Sequence, residues 1–558
     1  MRTGIILCLL WMTMAFACQS PEVEATIEEL QLDLPDRPNI LWLVAEDLSP
    51  YIPSFGDSTV QTPTLSRLAA EGVCYDNFYS PSPVCAPSRA ALSTGMYPTH
   101  IGANHMRTGP WYAGNISDEA AAERTRFMPE GISFYEAMPE AGIKMMSEVL
   151  RGEGYYCTNN AKQDYQYRPT VTAWDGQGKQ AHWWNRAEGQ PFFAVFNFEV
   201  THESRIWSKA QDSLWIDSTL TIDAPPYLPD TEVGRRDVRR MYSNVKEMDH
   251  QVGEVLQQLE EDGLLENTIV FWYTDHGGPL PRQKRLLYDS GLKVPMIIRF
   301  PGQQMAGTRN DDLLSFIDMA PTVHSLAGIK PYEKLDGKAF LGEFKTQEKR
   351  RYIRAAADRF DAQYDTNRAI RDKRFKYIKY YQPDKSMFLP VAYREQMAIM
   401  RELHRLEEAG ELTPAQALWF RDKKPEEELF DTEADPHEIN NLANDPAHQE
   451  KLVELRKECE RWLNSFEDTG MMPEADLIKK LWPSGKALNT SKPVVKTEAG
   501  KVSASSETAG ATIGYKLGND PKTWKVYKGP VVVAEGDTIQ FIADRIGFRP
   551  SEVVVHVE

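Results

Sequence analysis

The chain has 558 residues, more than one hydrophobic core of ordinary size organises, so two or three folded bodies are expected. Hydrophobic residues at 41% and aromatics at 10% supply ample material for packing. A formal net charge of -17 excludes a protein whose main partner is nucleic acid, because neutralising phosphates needs a basic face. An anionic substrate stays open, since a metal ion and a few clustered Arg and Lys override the global sign locally.

Residues 1–18 start with Met1 and Arg2 and continue as a short apolar run to Ala17 and Cys18. The run is too short for a membrane span and reads as an export signal. The small residue before Cys18 resembles a bacterial lipobox, which implies a lipid anchor at Cys18 and a bacterial protein of the periplasm or outer membrane. A plain signal peptide cleaved nearby is the other reading and also gives an exported protein. Residues 19–36 are acidic, lack helix-length apolar periodicity and suit a tether. The six cysteines, Cys8, Cys18, Cys74, Cys85, Cys157 and Cys459, form no C-x-x-C pair and no zinc-finger spacing.

RPNILWLV at 37–44 is a near-continuous apolar run, expected of a strand buried on both faces in a helix-covered sheet. It ends in Ala45, Glu46 and Asp47, two carboxylates at the edge where such sheets carry ligands. Oxygen donors there suit Ca²⁺ or Mg²⁺, while a solvated turn or a helix cap uses the same residue types. PSPVCAPSRAALSTG follows at 81–95. It sets Cys85 at the mouth of a helix, with the positive dipole end facing outward and Arg89 one turn in, an arrangement that would hold a tetrahedral oxyanion. A buried, inert cysteine is the alternative.

After that helix, His105 and Arg107 lie in a loop within reach of a substrate. A helix over 145–154 stopped by glycine leads to NNAKQDY at 159–165, carrying Lys162 and Asp164. A second buried strand at 191–198 runs into Glu199, His202 and Glu203. The apolar stripe Val238, Met241, Val245, Met248, Val252, Val255, Leu256, Leu259 predicts an amphipathic packing helix over 233–262. A third strand at 267–273 ends in Asp275, His276 and two glycines, which let backbone approach a ligand closely, and Lys284 stands four residues before Tyr288.

The C-x-P-S-R core with Ala-Ala-Leu-Ser-Thr-Gly after it resembles the signature of the type I sulfatases, in which a maturation enzyme oxidises this cysteine to formylglycine. The other motifs follow in that family's order over roughly residues 37–481, and parts are similar to N-sulfoglucosamine sulfohydrolases. The resemblance implies an alkaline-phosphatase-like α/β sandwich, and Ca²⁺ held by Glu46, Asp47, Asp275, His276 and the modified Cys85. Glu46 stands where the family carries Asp, so Asp47 is the stronger ligand. It further implies Lys162 as the family's site lysine, Lys284 on the sulfate, and His202 on the bridging oxygen, which together with Lys284 protonates the leaving alcohol. Asp164 stands where the family has His, and it or a nearby histidine is the candidate base of the second step; His105 and Arg107 are candidate substrate contacts. The implied partners are a sulfated glycan (ulvan, carrageenan, fucan or a glycosaminoglycan) and a formylglycine-generating or anaerobic sulfatase-maturating enzyme. Two alternatives remain: a phosphonate or phosphate ester hydrolase of the same superfamily, and a non-catalytic, tethered glycan-binding protein. The missing His-rich two-zinc pattern opposes a two-metal phosphatase, and the intact Cys85 to Arg89 motif opposes the binding protein.

Alternation near 352–380 predicts a smaller antiparallel sheet, with surface ion pairing expected for Arg359 and Arg368. From 491, short strands and turn residues predict a small β-sandwich, similar to the accessory modules of some carbohydrate-active enzymes. Its Trp524 and Tyr527 are either sugar-stacking or core residues. The expected organisation is α/β: export signal 1–18, tether 19–36, catalytic domain 37–345, a smaller C-terminal α+β subdomain 346–485 and an appended sandwich 491–558.

Overall fold

The computed structural model describes residues 32–109, 127–518, 520 and 523–558; the leader with Cys18 and most of the expected tether lie outside them. Among the described residues no helix is long and apolar enough to cross a membrane.

A nine-stranded sheet positions everything else. Its strands are β1 Asn39–Ala45, β2 Val73–Tyr79, β3 Tyr156–Asn160, β4 Gly176–Gln177, β5 Phe192–Phe198, β6 Thr268–Thr274, β7 Lys293–Arg299, β8 Thr308–Asn310 and β9 Leu314–Ser315. They lie in the order β4-β3-β5-β1-β6-β7-β2-β8, with β9 also on β2. Only β7 runs against its neighbours, so β1, β2, β3, β5 and β6 all end on one edge. Ala45 of β1 stands level with Phe198 of β5 and Thr274 of β6, which brings three strand ends into register. β1, β5 and β6 are buried along their whole length, as their unbroken apolar runs require when helices cover both faces. Trp42 meets Phe193 and Tyr273 edge-on at 5.1 and 5.4 Å.

The helix Glu232–Glu261 carries the expected stripe into the main core. Thr231 caps it by accepting from the Gly234 N–H. From within this helix, Asp249 caps a second one, α1 (Pro63–Glu71), accepting from Thr64 N at 3.2 Å and Leu65 N at 2.8 Å.

β10 Ile353–Phe360, β11 Gln363–Arg371, β12 Phe375–Tyr380 and β13 Glu427–Asp431 form a four-stranded antiparallel sheet in that order. The helix Gln449–Leu463 packs on β11 and β12. Arg359 and Arg368, expected in surface pairs, are both fully buried. Arg359 pairs with Glu474 at 2.7 Å, and Arg368 pairs with Asp468 at 2.7 Å and Asp358 at 2.8 Å. The strand alternation that exposes one side chain turns the next into the fold, and these two are turned inward with carboxylates to meet them.

Beyond residue 490, a three-stranded and a four-stranded antiparallel sheet enclose Val502, Val533, Ile539 and Phe541. Tyr527 packs on that core and its hydroxyl accepts from Ala504 N at 3.0 Å, which makes it a core residue.

Asp249→Ala removes the cap of α1 and leaves two N–H groups without their carboxylate. It is expected to cost about 1–2 kcal/mol of stability, read from the midpoint of thermal or denaturant unfolding.

Candidate active site

The shared sheet edge collects the chemistry. Glu46 and Asp47 follow β1, Lys162 and Asp164 follow β3, the stretch with His202 and Glu203 follows β5, and Asp275 and His276 follow β6. After β2 the chain turns into helix α2 (Cys85–Thr94), whose first residue is Cys85. No side chain caps α2, so its amino end faces the site with its own N–H groups.

Asp47, Cys85, Asp275 and His276 each offer an atom within 4.8 Å of the others, all buried. Asp47 sits at φ 44, a left-handed backbone held in place by its partners. Its N–H donates to Asp275 Oδ1 at 3.0 Å, and its Oδ2 accepts from Glu203 N at 2.7 Å and Lys284 Nζ at 2.6 Å. Against the cost of burial, Lys284 and His276 hold Asp47 well below the usual carboxylate range. Its other oxygen, Oδ1, lies 2.9 Å from His276 Nε2, yet both atoms are buried without an aligned hydrogen bond. Burial disfavours charge on His276, but Asp275 and Asp47 push its pKa up to about 10, so the imidazolium stands where the carboxylates call for a cation. Orphaned oxygen and nitrogen donors around two carboxylates fit a metal ion.

Glu46, expected as a ligand, is outside this cluster. Its extra methylene carries the carboxylate to Lys162 Nζ at 2.6 Å and Arg89 Nη2 at 3.2 Å. Burial raises its pKa to about 7, against the pull of Lys162 and Arg89. Asp164 stands 3.6 Å from Lys162. Arg89 points into the site from α2, with Nε on Asp275 Oδ2 at 3.0 Å and Nη1 on Asn197 Oδ1 at 2.6 Å.

His202 is held neutral: burial, with Lys284 and Lys162 nearby, lowers its pKa to about 3 in spite of Asp47. Its Nδ1 accepts from the Ser204 N–H at 3.2 Å, which leaves the ring proton on Nε2. Next to it, Glu203 pairs with Arg285 at 2.6 and 2.8 Å and with Lys284 at 3.1 Å, entirely out of solvent.

These groups open onto a cavity of about 1330 Å³ whose lining includes Glu46, Cys85, Lys162, Asp164, His202 and Lys284. Arg107 is on its wall and pairs with Asp361. His105, expected to touch substrate, is not on that wall. It is buried, 6.2 Å edge-on from Tyr364, and burial lowers its pKa to about 4. The loop 104–107 turns through a left-handed residue at Arg107, so its neighbours face different ways. Asn197, Glu203 and Arg285 escaped the sequence reading. Glu203 had a signal, its place beside His202; Asn197 and Arg285 had none beyond ending a strand and following Lys284.

With that geometry in hand, comparison with known proteins is informative. The profile of the sulfatase family matches residues 38–329, and the profile described as N-sulphoglucosamine sulphohydrolase, C-terminal, matches 282–395. The chain is 51% identical to an ulvan-active sulfatase of Formosa agariphila, over 94% of this chain and 92% of that protein. Against the N-acetylgalactosamine-6-sulfatase of Homo sapiens it is 26% identical, over 53% of this chain and 63% of that one. A solved protein in complex with its substrate D-glucosamine-2-N,6-O-disulfate shares the fold with a TM-score of 0.54 at 17% identity, over 78% of this chain and all of that one. A 2-O GAG sulfatase does so with a TM-score of 0.54 at 19% identity, over 77% and 92%.

Glu203→Gln strands the charge of Arg285 in the interior, while Lys284 keeps Asp47 at 2.6 Å. A loss of about 3–5 kcal/mol is expected, measured by denaturant unfolding, because a buried pair that loses one partner leaves the other uncompensated.

Proposed function

Because this chain belongs to the sulfatase family and is a sulfuric ester hydrolase, we propose that it removes sulfate from a sulfated polysaccharide or its fragments, ulvan first. It would do so with a formylglycine made from Cys85 and a bound Ca²⁺. The observation that carries this is the placing of Cys85, first residue of α2, among Asp47, Asp275 and His276 and on the wall of the cavity that Lys162, His202 and Lys284 also line. The ulvan-active relative supports the choice of first substrate.

Asp47, Asp275, His276 and the oxygen of residue 85 would hold the ion, consistent with the orphaned Oδ1 and Nε2. Bound there, Ca²⁺ supplies positive charge for sulfate oxygens, and formylglycine supplies an oxygen nucleophile in place of Sγ. The chain's own side chains do the rest. Lys162, beside Cys85 and Glu46, and Lys284, beside Asp47, keep their protons in the face of burial and present two ammonium groups to the sulfate oxygens. Arg89 holds Asp275 and Glu46 in place, and leaves the amino end of α2 to face the anion. His202 carries its proton on Nε2 and, kept neutral, donates to the bridging oxygen as the alcohol departs. Asp164 is the carboxylate placed to take a proton where the family uses His. Maturation calls for a formylglycine-generating or anaerobic sulfatase-maturating enzyme. The leader supports export, to the periplasm or as an outer-membrane lipoprotein anchored at Cys18.

Co-expression with a maturation enzyme should convert Cys85, seen as the thiol-to-aldehyde mass change of its peptide. Inorganic sulfate should then be released from ulvan oligosaccharides, and not by Cys85→Ala or after calcium chelation. An unmodified cysteine beside an active maturation enzyme, with no sulfate released, overturns the reading in favour of a glycan-binding protein. A phosphate ester of the same leaving group, cleaved faster than the sulfate ester, would instead favour the phosphoesterase. His202→Ala should retain modified residue 85 and lose about 10²–10⁴-fold in kcat, the usual worth of a positioned acid.

A further inference from the structure

Much of the cavity wall comes from one segment, 161–179, which includes Lys162, Asp164, Arg168 and Trp174. Its backbone is strained: Ala161, Asp164 and Gln166 all have φ between 55 and 63, although none is glycine. Such conformations persist only where surroundings hold them. Residues 136 and 137 hold one part, with Ala137 N on Gln166 O at 2.9 Å and Arg168 N on Glu136 Oε2 at 3.0 Å, and the sheets beyond residue 490 hold the part that follows. Asp544, at the end of the strand Thr538–Asp544, is completely buried and accepts from Arg168 Nη2 at 3.0 and 3.1 Å, Arg168 Nη1 at 3.2 Å and Val171 N at 2.9 Å. Arg168 Nη2 also reaches Phe548 O at 3.1 Å. Lower on the segment, Arg151 joins the Asp175 carboxylate (2.6 and 2.9 Å) to Trp524 O (2.8 Å). Gly514 admits close approach, since a Cβ there would stand 3.1 Å from Thr172 Cγ2 and 2.9 Å from Trp524 Cβ. Thr523 itself lines the cavity.

We propose that the C-terminal β-module is a wall of the substrate cavity, and that Asp544 is a positioning residue, holding segment 161–179 in the shape that receives the glycan. The module is thereby a specificity element built into the site, in contrast to an accessory unit that binds sugar at a distance. Asp544 touches no substrate and acts through Arg168 and the Val171 N–H. The glycan part of this inference rests on the sulfatase reading of the same cavity; the mechanical part does not.

The test uses the full-length, matured chain with Asp544→Ala, Asp544→Asn, Arg168→Ala and the Ala/Ala double variant. Amide exchange is followed by mass spectrometry on peptides from 161–179 and, as a reference, from β1. KM and kcat are measured for sulfate release from ulvan oligosaccharides. Asp544→Ala is expected to speed exchange in 161–179 at least tenfold with β1 unchanged, and to raise KM about tenfold with a smaller fall in kcat. Asp544→Asn, which keeps an acceptor for Val171, should be intermediate, and the double variant no worse than the worse single one. Exchange and KM within twofold of wild type in Asp544→Ala would overturn the proposal, as would strictly additive effects of the two alanines. If Asp544→Ala gives no folded protein, the same comparison on Asp544→Asn decides. Wild-type chain that releases no sulfate sinks the glycan reading alone, because exchange still reports whether Asp544 holds the wall.

Discussion

One buried guanidinium ties the catalytic edge together. Arg89 leaves α2 and meets Asp275 after β6, Glu46 after β1 and Asn197 at the end of β5, each through a different nitrogen. The helix that carries Cys85 is therefore fixed to three neighbouring strands at once, and its amino end cannot turn without breaking a charge-assisted bond. The register of β5, β1 and β6 makes this possible, because level strand ends place the three acceptors around one plane. A Lys at this position would reach one or two of them and leave the rest buried and unpaired.

Around that pivot the charges are balanced in pairs. Lys162 answers Glu46, Lys284 answers Asp47 and Glu203, and Arg285 answers Glu203 again. Such a network offers little net stability compared with an apolar core, since each charge was taken from water. What it provides is preorganisation: the ammonium groups of Lys162 and Lys284 are held in fixed places by buried carboxylates at the cavity wall. Glu46 turns its carboxylate to Lys162 and Arg89, away from the cluster of Asp47, Cys85, Asp275 and His276.

The central strands and the residues at their ends were legible in the sequence because they obey a short-range rule. An apolar run buried on both faces must end in polar residues at the sheet edge, and RPNILWLV with Glu46 and Asp47 shows that within eleven residues. The helix at Cys85 and the stripe of the helix Glu232–Glu261 were equally local. His105, Arg359 and Arg368 were misread because their fate is set by partners far along the chain. Glu474 lies 115 residues from Arg359, and no local pattern in either stretch announces the other. Tyr527 turned inward for the same reason, through a neighbour on another strand.

The bond between Arg168 and Asp544 spans 376 residues of chain. At ribosomal speeds of about 5–20 residues per second, Asp544 is made on the order of 20–75 s after Arg168. For that interval the nascent protein owns the helix of Cys85 and most of the charged groups around it, but lacks the strand that holds Arg168. The cavity is thus assembled in two acts separated in time, and until the last strands close, the face that Cys85 lines is more open than in the finished protein.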